Sequence, residues 1–220
     1  MTTLTKRDWR GTDNLRCTDG GIVIASNHLS WFDPLVISHL LWENDRPPRF
    51  LAKESVFRVP FIGKVIDSAG QIRVYRESSE AIAAVRDAVT AIDAGECVVV
   101  YPEGTITKDP DLWPMVGKTG AARIALATGA PLIPIAQWGA QEVMAPYKKQ
   151  FRILPRKTMR VSVGSPVPLE DLRGLPLDSE VLREATARLI AAITALLAEI
   201  RSESPPSEPY SARRGQGGSR

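Results

Sequence analysis

The sequence predicts an α/β fold: a single domain with a mixed, mostly parallel central sheet flanked by helices. Short apolar, β-branched runs recur along the chain and alternate with segments of helical periodicity. This alternation is typical of a mostly parallel sheet, because parallel strands need a crossover long enough to hold a helix. A length of 220 residues with 44% hydrophobic content suits one domain with a substantial core. We place this domain at residues 9–201.

The apolar runs are the predicted strands. They are Ile22 to Ala25, Phe50 to Ala52, Gln71 to Val74, Cys97 to Tyr101, Leu132 to Ala136 and Met159 to Val163. Helical periodicity follows several of these runs, at Leu35 to Trp42, Ser79 to Ala94 and Lys118 to Thr128. Pro34 suits the first position of the first helix, and a glycine follows each of the other two, as at many helix ends.

The last predicted helix begins at Asp178 or Ser179 and runs to about Arg201. Its apolar stripe consists of Ala and aliphatic residues without an aromatic, which favours packing on the domain over binding to a membrane surface. From Ser202 the chain turns to Pro, Ser, Gly and Arg, a composition that predicts a disordered tail over residues 202–220.

The charge pattern indicates an anionic partner. The net charge is only +3, but basic residues flank Trp9 and recur with aromatic residues in a later segment. That segment comprises Tyr147, Lys148, Lys149, Phe151, Arg152, Arg156, Lys157 and Arg160. Such a pattern suits an anionic membrane surface, an RNA or a solvated face, and the lack of a nucleic-acid-binding motif disfavours RNA.

Apolar runs and cysteines set the remaining limits. No stretch approaches the roughly eighteen apolar residues of a membrane span, and no apolar signal region follows Lys6 and Arg7. We therefore expect that the chain is not an integral membrane protein, and nothing in it directs the protein out of the cytoplasm. The two cysteines, Cys17 and Cys97, form no metal-ligand cluster, and we expect no metal site.

The most informative motif joins His28 and Asp33, five positions apart, in the turn between the first predicted strand and the first predicted helix. We place Asp33 at the helix N-cap, where its carboxylate can reach one imidazole nitrogen. This contact would fix the tautomer and leave the other nitrogen as a general base for a hydroxyl. A capping or surface pair is the alternative. The chain's other histidine, His39, is expected at the helix surface or in the core.

A second motif, Tyr101-Pro102-Glu103-Gly104-Thr105, follows a buried strand. The strand would deliver the carboxylate of Glu103 to its end, where it can accept hydrogen bonds from a polyol or orient a cation. An ordinary strand-ending turn is the alternative.

Two basic residues are further candidates. Arg76 ends a predicted strand, where its guanidinium offers a bidentate fork for a phosphate, or a surface ion pair with Glu77 or Glu80. Lys118 lies at a predicted helix start, where its ammonium and backbone N–H groups can hold an anion, or where it is a solvated lysine.

In this order, the segments resemble the 1-acylglycerol-3-phosphate acyltransferase family of glycerolipid acyltransferases. The resemblance covers residues 9–168. The matching blocks are Asn27-His28 through Asp33, Lys53-Glu54 through Arg76, Pro102-Glu103-Gly104-Thr105 and Leu132-Ile133-Pro134-Ile135. The resemblance implies a glycerol-3-phosphate acyltransferase-like fold.

The resemblance also implies an activity, namely transfer of a fatty acyl group from a thioester of coenzyme A or acyl carrier protein to the hydroxyl of lysophosphatidic acid, forming phosphatidic acid. His28 would be the general base and Asp33 would orient it. The implied acceptor site comprises Arg76 and Lys118 for the phosphate and Glu103, Gly104 and Thr105 for the glycerol. No cofactor is implied besides the thioester co-substrate.

Other functions stay open at this point. The same chemistry can use another lysophospholipid, a glycolipid or an aminolipid, and a non-catalytic lipid-binding module can keep the fold. A hydrolase of the Gly-x-Ser-x-Gly type is disfavoured, because the chain lacks that nucleophile turn.

The chain departs from the family pattern in two places. Many members carry an arginine after Glu-Gly-Thr, whereas this chain has Ile106, so the anion contact would be lost or taken over by Lys108 or Lys118. The segment before His28 is also too short for the N-terminal attachment helices of many members. Either the chain begins late, or attachment relies on basic and apolar surface residues, among them Trp9, Trp31, Trp42 and Phe57.

Overall fold

Strands and helices alternate along the described chain, which comprises residues 4–74, 78–148 and 150–211 of the computed structural model, with the backbone alone at residues 62 and 78–82. The strands are β1 (Thr5–Arg10), β2 (Ile22–Ser26), β3 (Pro48–Lys53), β4 (Ile72–Val74), β5 (Cys97–Val100), β6 (Leu132–Trp138) and β7 (Lys157–Val163). The helices are α1 (Asp33–Trp42), α2 (Glu54–Phe57), α3 (Ile62–Ser68), α4 (Ser78–Asp93), α5 (Gly120–Thr128), α6 (Ala140–Val143) and α7 (Ser179–Arg201).

The strands form one sheet in the order β1-β7-β6-β2-β5-β3-β4. Neighbouring strands are parallel except β6 and β7, which are antiparallel. The predicted fold class, an α/β domain with a mostly parallel sheet, is confirmed. Because β2 lies between β5 and β6 and is parallel to both, the loops that follow these three strands meet at one edge.

Each face of the sheet has its own apolar core, and the alternation along β2 shows how the faces are divided. Val23 and Ala25 pack in the core that also contains residues of α4, α5 and α7. Ile22 and Ile24 pack in the opposite core with residues of α1. Since every residue of β2 is buried, the strand has the continuous apolar sequence of a central strand rather than an apolar-polar alternation.

All six predicted strands are present, and β1 is the strand that the sequence reasoning missed. It was interpreted as a basic patch because Lys6, Arg7 and Arg10 give it a polar sequence. β1 lies at the sheet edge and pairs only with β7, so most of its side chains can stay partly or fully exposed. An edge strand needs no apolar run, and charged residues there oppose pairing with other chains.

The helix α7 confirms the predicted packing on the domain. Asp178 is its N-cap and accepts hydrogen bonds from the N–H groups of Glu180 and Val181. The buried stripe of α7 includes Ala185, Leu189 and Ile193, which join the core on the same face of the sheet as α4 and α5. The short helices α2, α3 and α6 were not predicted, since two turns or fewer leave little periodicity to detect.

Residues beyond α7 return to the domain. Tyr210 forms a β-bridge with Met115, and its carbonyl accepts a hydrogen bond from the Val116 N–H at 3.0 Å. The part of the predicted disordered tail at residues 202–211 therefore includes a backbone contact, whereas residues 212–220 lie outside the described chain. No described helix has both the length and the hydropathy needed to cross a bilayer.

Candidate active site

The loops after β2 and β5 place His28 and Glu103 together. The backbone N–H of His28 donates to Glu103 Oε1 at 3.0 Å, and the His28 carbonyl accepts from the Thr107 N–H at 2.8 Å. The loop after β5 therefore holds the backbone of His28 at both its N–H and its carbonyl. The position of His28 is set by these contacts as well as by its own loop.

The side chain of His28 pairs with Asp33, as predicted. His28 Nδ1 lies 2.8 Å from Asp33 Oδ2. The aspartate side chain is fully buried, while the imidazole keeps 12% of its surface exposed. With Nδ1–H donated to the carboxylate, Nε2 carries the lone pair that can accept a proton from a hydroxyl. The geometry is that of a general base with its orienting carboxylate.

Asp33 is held differently from the prediction. It was predicted to be the N-cap of the helix, but it is the first residue of α1, with Phe32 as the cap. Its Oδ2 accepts hydrogen bonds from the N–H groups of Leu29 and Ser30, in the preceding loop rather than in the helix. The five-residue spacing closes the loop on itself around the carboxylate, so that loop and side chain support each other. Burial raises the pKa of Asp33, while the hydrogen bonds from His28, Ser30 and Leu29 oppose that rise.

Asn27 ties the same loop to the neighbouring strand. Its side-chain Nδ2 donates to the Gln137 carbonyl at 3.0 Å, and its Oδ1 accepts from the Gln137 N–H at 2.8 Å. The amide thus replaces a backbone partner at the point where the pairing of β2 and β6 ends. Asn27 belongs to the His28 motif, but its role cannot be predicted from the sequence, because its partner is 110 positions away.

Glu103 is engaged by the protein backbone through both carboxylate oxygens. Oε1 accepts from His28 N and Oε2 accepts from Met115 N, each at 3.0 Å. Only 4% of the residue is exposed. Burial raises the pKa of Glu103 to about 7, although the hydrogen bonds from Met115 and His28 oppose this rise. The glycerol contact predicted for Glu103 is not tested by this arrangement and stays a prediction.

Gly104, Thr105 and Lys118 form the exposed side of this turn. Lys118 donates its backbone N–H to the Pro102 carbonyl at 2.7 Å. Its ammonium lies directly over Gly104, so close that a Cβ at that glycine would lie 2.7 Å from Nζ. Lys118 precedes the N-cap of α5, Thr119, instead of lying within the helix. The predicted candidates Gly104, Thr105 and Lys118 are therefore neighbours.

Ile106 and His39 do not belong to the exposed side of this turn. Ile106, at the family's arginine position, is buried, and its carbonyl accepts from the Tyr147 hydroxyl at 2.6 Å. Arg76 lies outside the described residues. His39 lies on α1 and pairs with Glu43 at 3.0 Å, as expected for a residue at the helix surface.

Tyr101 is a site residue that the sequence reasoning did not single out for a role. Its ring stacks on the imidazole of His28, with ring centroids 4.2 Å apart and an angle of 17° between the planes. Tyr101 belongs to the same sequence motif as Glu103, but stacking between residues of two loops cannot be predicted from either loop alone. Among the described residues, no group of three or more His, Cys, Asp or Glu side chains is placed to hold a metal ion.

Comparison with known families agrees with this geometry. The family described as Acyltransferase matches residues 6–138, which include His28, Asp33, Glu103 and Lys118. This match covers more than half of the chain. The chain belongs to the acyltransferase family. Within the acyltransferase match, the two loops that meet at His28 come from the first and the third of the predicted sequence blocks.

Several acyltransferase relatives carry a more specific name, 1-acyl-sn-glycerol-3-phosphate acyltransferase. The relative from Brassica napus, a chloroplastic protein named BAT2, is 29% identical over 163 residues, or 74% of this chain and 45% of its own length. The relative from Borreliella burgdorferi is 31% identical over 126 residues, or 57% of this chain and 48% of its own length. The chain thus spans a little under half the length of these relatives.

The acyltransferase fold is shared with a solved structure. The crystal structure of the 1-acyl-sn-glycerophosphate (LPA) acyltransferase PlsC from Thermotoga maritima superimposes with a TM-score of 0.68 at 22% sequence identity. The superposition covers 92% of this chain and 75% of that chain. At this identity the likeness concerns the fold.

The raised pKa of Glu103 predicts how stability depends on pH. The folded-state pKa is about 7 and the ordinary value is 4.5, so between these pH values the folded protein keeps a proton that the unfolded chain has released. The free energy of unfolding should therefore fall as the pH rises from about 4.5 to 7, by roughly 3 kcal/mol from this group. Glu103→Gln should remove this component. Urea unfolding between pH 4.5 and 8 measures the difference.

The matched control is Glu142→Gln, which changes an exposed carboxylate on α6. It should leave the pH dependence of the wild-type protein unchanged. Equal pH dependence in Glu103→Gln and in the wild-type protein would contradict the raised pKa.

Proposed function

We propose that this chain transfers a fatty acyl group from a thioester of coenzyme A or acyl carrier protein to the free hydroxyl of lysophosphatidic acid, forming phosphatidic acid. The main supporting observation is the buried His28–Asp33 pair, with Nδ1 and Oδ2 2.8 Å apart, beside an exposed turn that carries a lysine. The names of the relatives support the acceptor. The thioester is a co-substrate, and we propose neither a cofactor nor a metal ion.

In the proposed mechanism, the acceptor hydroxyl attacks the thioester carbonyl directly. His28 Nε2 removes the hydroxyl proton as the new oxygen-carbon bond forms, and Asp33 stabilises the imidazolium. The carbon-sulfur bond then breaks, and the imidazolium returns the proton to the thiolate that leaves. The products are the ester and a free thiol. No acyl-enzyme is required, because the thioester already is an activated acyl group.

The exposed turn after β5 is the proposed acceptor site. Gly104 and Thr105 would contact the glycerol portion, and Lys118, whose ammonium lies over Gly104, would bind the phosphate. Glu103 would act indirectly, because its Oε1 holds the backbone N–H of His28. Arg76, outside the described residues, stays a second proposed phosphate contact.

A second acceptor class is favoured by one observation. Ile106 is buried and places no guanidinium at the turn, so this chain has fewer cationic groups there than the family pattern has. Another lysophospholipid, a glycolipid or an aminolipid would then accept the acyl group through the same His28–Asp33 chemistry.

Substitution of the proposed base tests the chemistry. His28→Ala should lower kcat for acyl transfer by about 10²- to 10⁴-fold, the usual range for loss of a general base. His39→Ala is the matched control, since His39 pairs with Glu43 on α1, away from the site. The measurement is free-thiol release from palmitoyl-coenzyme A with and without lysophosphatidic acid, together with lipid product masses.

The other outcomes of this assay are equally informative. Thiol release that does not require an acceptor would indicate a hydrolase. A wild-type protein without thiol release from coenzyme A or acyl carrier protein thioesters, with any acceptor lipid, would contradict catalysis and favour a non-catalytic lipid-binding module.

Lys118 tests the phosphate contact. Lys118→Met should raise KM for lysophosphatidic acid by about tenfold with little change in kcat, because one charge-assisted hydrogen bond to the phosphate would be lost. Lys108→Met removes the other candidate cation, which is also exposed, and should leave KM unchanged if Lys118 binds the phosphate. Initial rates over a range of acceptor concentrations measure both constants. Equal KM values for Lys118→Met and the wild-type protein would exclude Lys118 from phosphate binding.

We further propose that the chain acts as a peripheral protein at the anionic cytoplasmic face of the plasma membrane. The supporting observation is apolar exposure at the same sheet edge as His28. Trp31 is exposed in the His28 loop, and Phe61, 84% exposed, is the N-cap of α3, which carries the exposed Lys64. Apolar side chains next to cations suit an anionic bilayer surface, which would also supply the acceptor lipid.

Vesicle binding tests this orientation. Trp31→Ser combined with Phe61→Ser should lower the partition coefficient on phosphatidylglycerol vesicles by roughly ten- to hundredfold, because aromatic area would no longer be buried. Trp42→Ser is the matched control, because Trp42 is exposed at the opposite end of α1. Sedimentation with vesicles measures binding. A stronger effect of Trp42→Ser would place the membrane contact on another face.

A further inference from the structure

Three buried polar atoms lie behind the His28–Asp33 pair without a hydrogen-bond partner in the described chain. They are Asp33 Oδ1, the Tyr101 hydroxyl oxygen and Gln137 Oε1. They come from α1, from the residue after β5 and from β6. Buried polar atoms in proteins are nearly always paired with protein groups or ordered water. Three unpaired atoms around one pair of residues therefore indicate a shared partner.

Several contacts place the three side chains close together. The Tyr101 ring stacks on His28 at 4.2 Å, and His28 in turn contacts Asp33 at 2.8 Å. Burial, followed by the negative charge of Asp33, raises the pKa of Tyr101 well above its ordinary value, and the nearby Gln137 side chain opposes this rise. The Tyr101 hydroxyl therefore keeps its proton and lies near both other side chains.

The available donors and acceptors show what the shared partner must be. Gln137 Nε2 donates to the Asn27 carbonyl at 3.1 Å, which leaves Gln137 Oε1 as an acceptor. Asp33 Oδ1 is a second acceptor, and the Tyr101 hydroxyl supplies one donor. One donor cannot serve two acceptors. A water molecule has two O–H donors and can accept the tyrosine O–H, so one water satisfies all three atoms.

We propose that Asp33 Oδ1, the Tyr101 hydroxyl and Gln137 Oε1 bind one buried water molecule, and that Tyr101 is a positioning residue for His28 and Asp33. The water donates to Asp33 and to Gln137 and accepts from Tyr101. The ring of Tyr101 meanwhile holds the plane of the imidazole by stacking. The role in catalysis rests on the proposed function, whereas the water site does not.

The network opposes the rise in the pKa of Asp33 that burial causes. A hydrogen bond to Oδ1 stabilises the carboxylate, and Oδ2 stays available to accept from His28 Nδ1. If the Asp33 carboxylate took up a proton, the carboxylic acid would donate a hydrogen bond to His28 Nδ1. The neutral imidazole would then carry its own proton on Nε2. That tautomer cannot remove a proton from a hydroxyl. The network thus extends the active protonation state of the pair to lower pH.

The first test is structural and needs no enzyme activity. A high-resolution crystal structure of the wild-type protein should contain a water within about 3.2 Å of all three atoms. The structure of Tyr101→Phe should lack this water or contain it with weaker density, while the ring still stacks on His28. A wild-type structure in which the three atoms pair with one another, or in which no water contacts them, would overturn the proposal.

The second test is the pH profile of kcat/KM for acyl transfer. In Tyr101→Phe the acidic limb of this profile should move to higher pH by about one unit. The Asp33 carboxylate loses a hydrogen bond in this variant, so the His28–Asp33 pair binds more tightly the proton that it must release before His28 can act as a base. The rate at high pH should stay within a few-fold of the wild-type rate. Tyr101→Leu, which also removes the stacked ring, should lower kcat throughout the profile.

Controls separate this effect from its neighbours. Glu103, in the turn after β5, also faces the pair and titrates in this range, so the profile is repeated in Glu103→Gln, where the shift caused by Tyr101→Phe should persist. Lys118 is the cation over the same turn. Tyr147→Phe removes the hydroxyl that donates to Ile106 and should leave the acidic limb unchanged.

The outcomes distinguish failure of the proposed function from failure of the proposed role of Tyr101. A wild-type protein that transfers no acyl group contradicts the proposed function, and the crystallographic test of the water site still stands. An active wild-type protein with an unshifted acidic limb in Tyr101→Phe overturns the positioning role and leaves the function of His28 intact.

Discussion

The buried carboxylate of Asp33 is the group on which the local structure depends. Its Oδ2 accepts hydrogen bonds from two backbone N–H groups of the preceding loop and from the imidazole of His28. A buried carboxylate without donors would be strongly unfavourable, so the loop must close around it. The two backbone donors compensate for the burial of the carboxylate, and the third donor, the imidazole, is oriented by the same oxygen. Closure of the loop and orientation of the imidazole therefore depend on one group.

The parallel sheet extends this arrangement over distant parts of the chain. Because β2 lies between β5 and β6, the loop that carries His28 is braced on one side by Glu103 and on the other by Gln137. The side chains of Asn27 and Glu103 both form hydrogen bonds with backbone groups, at positions where those groups have no neighbouring strand as a partner. Rigid support of this kind keeps a catalytic group in one geometry without help from the substrate.

The turn after β5 has one buried side and one exposed side, and the two sides have different contacts. Glu103 is buried and accepts hydrogen bonds from the backbone, whereas Gly104 and Thr105 are exposed and the ammonium of Lys118 lies over Gly104. A positive φ of 69° at Gly104, together with the lysine above it, explains why that position has no side chain. Ile106 is buried and brings no cation to this turn, whereas the ammonium of Lys118 lies over the exposed Gly104.

The sequence by itself determined the fold class, six of the seven strands, the long helices and the pairing of His28 with Asp33. These features depend on local periodicity and short spacing, which one segment carries alone. The sequence did not predict β1, because the edge position of this strand permits a polar sequence. It predicted Asp33 as the N-cap, whereas Asp33 is the first residue of α1. Only the tertiary structure decided which groups meet across the sheet, among them Glu103 with the His28 backbone and Tyr101 with the imidazole. The physical reason is that strand order is set by the packing of the whole sheet, so contacts between residues 73 or more positions apart follow from that order and not from either segment.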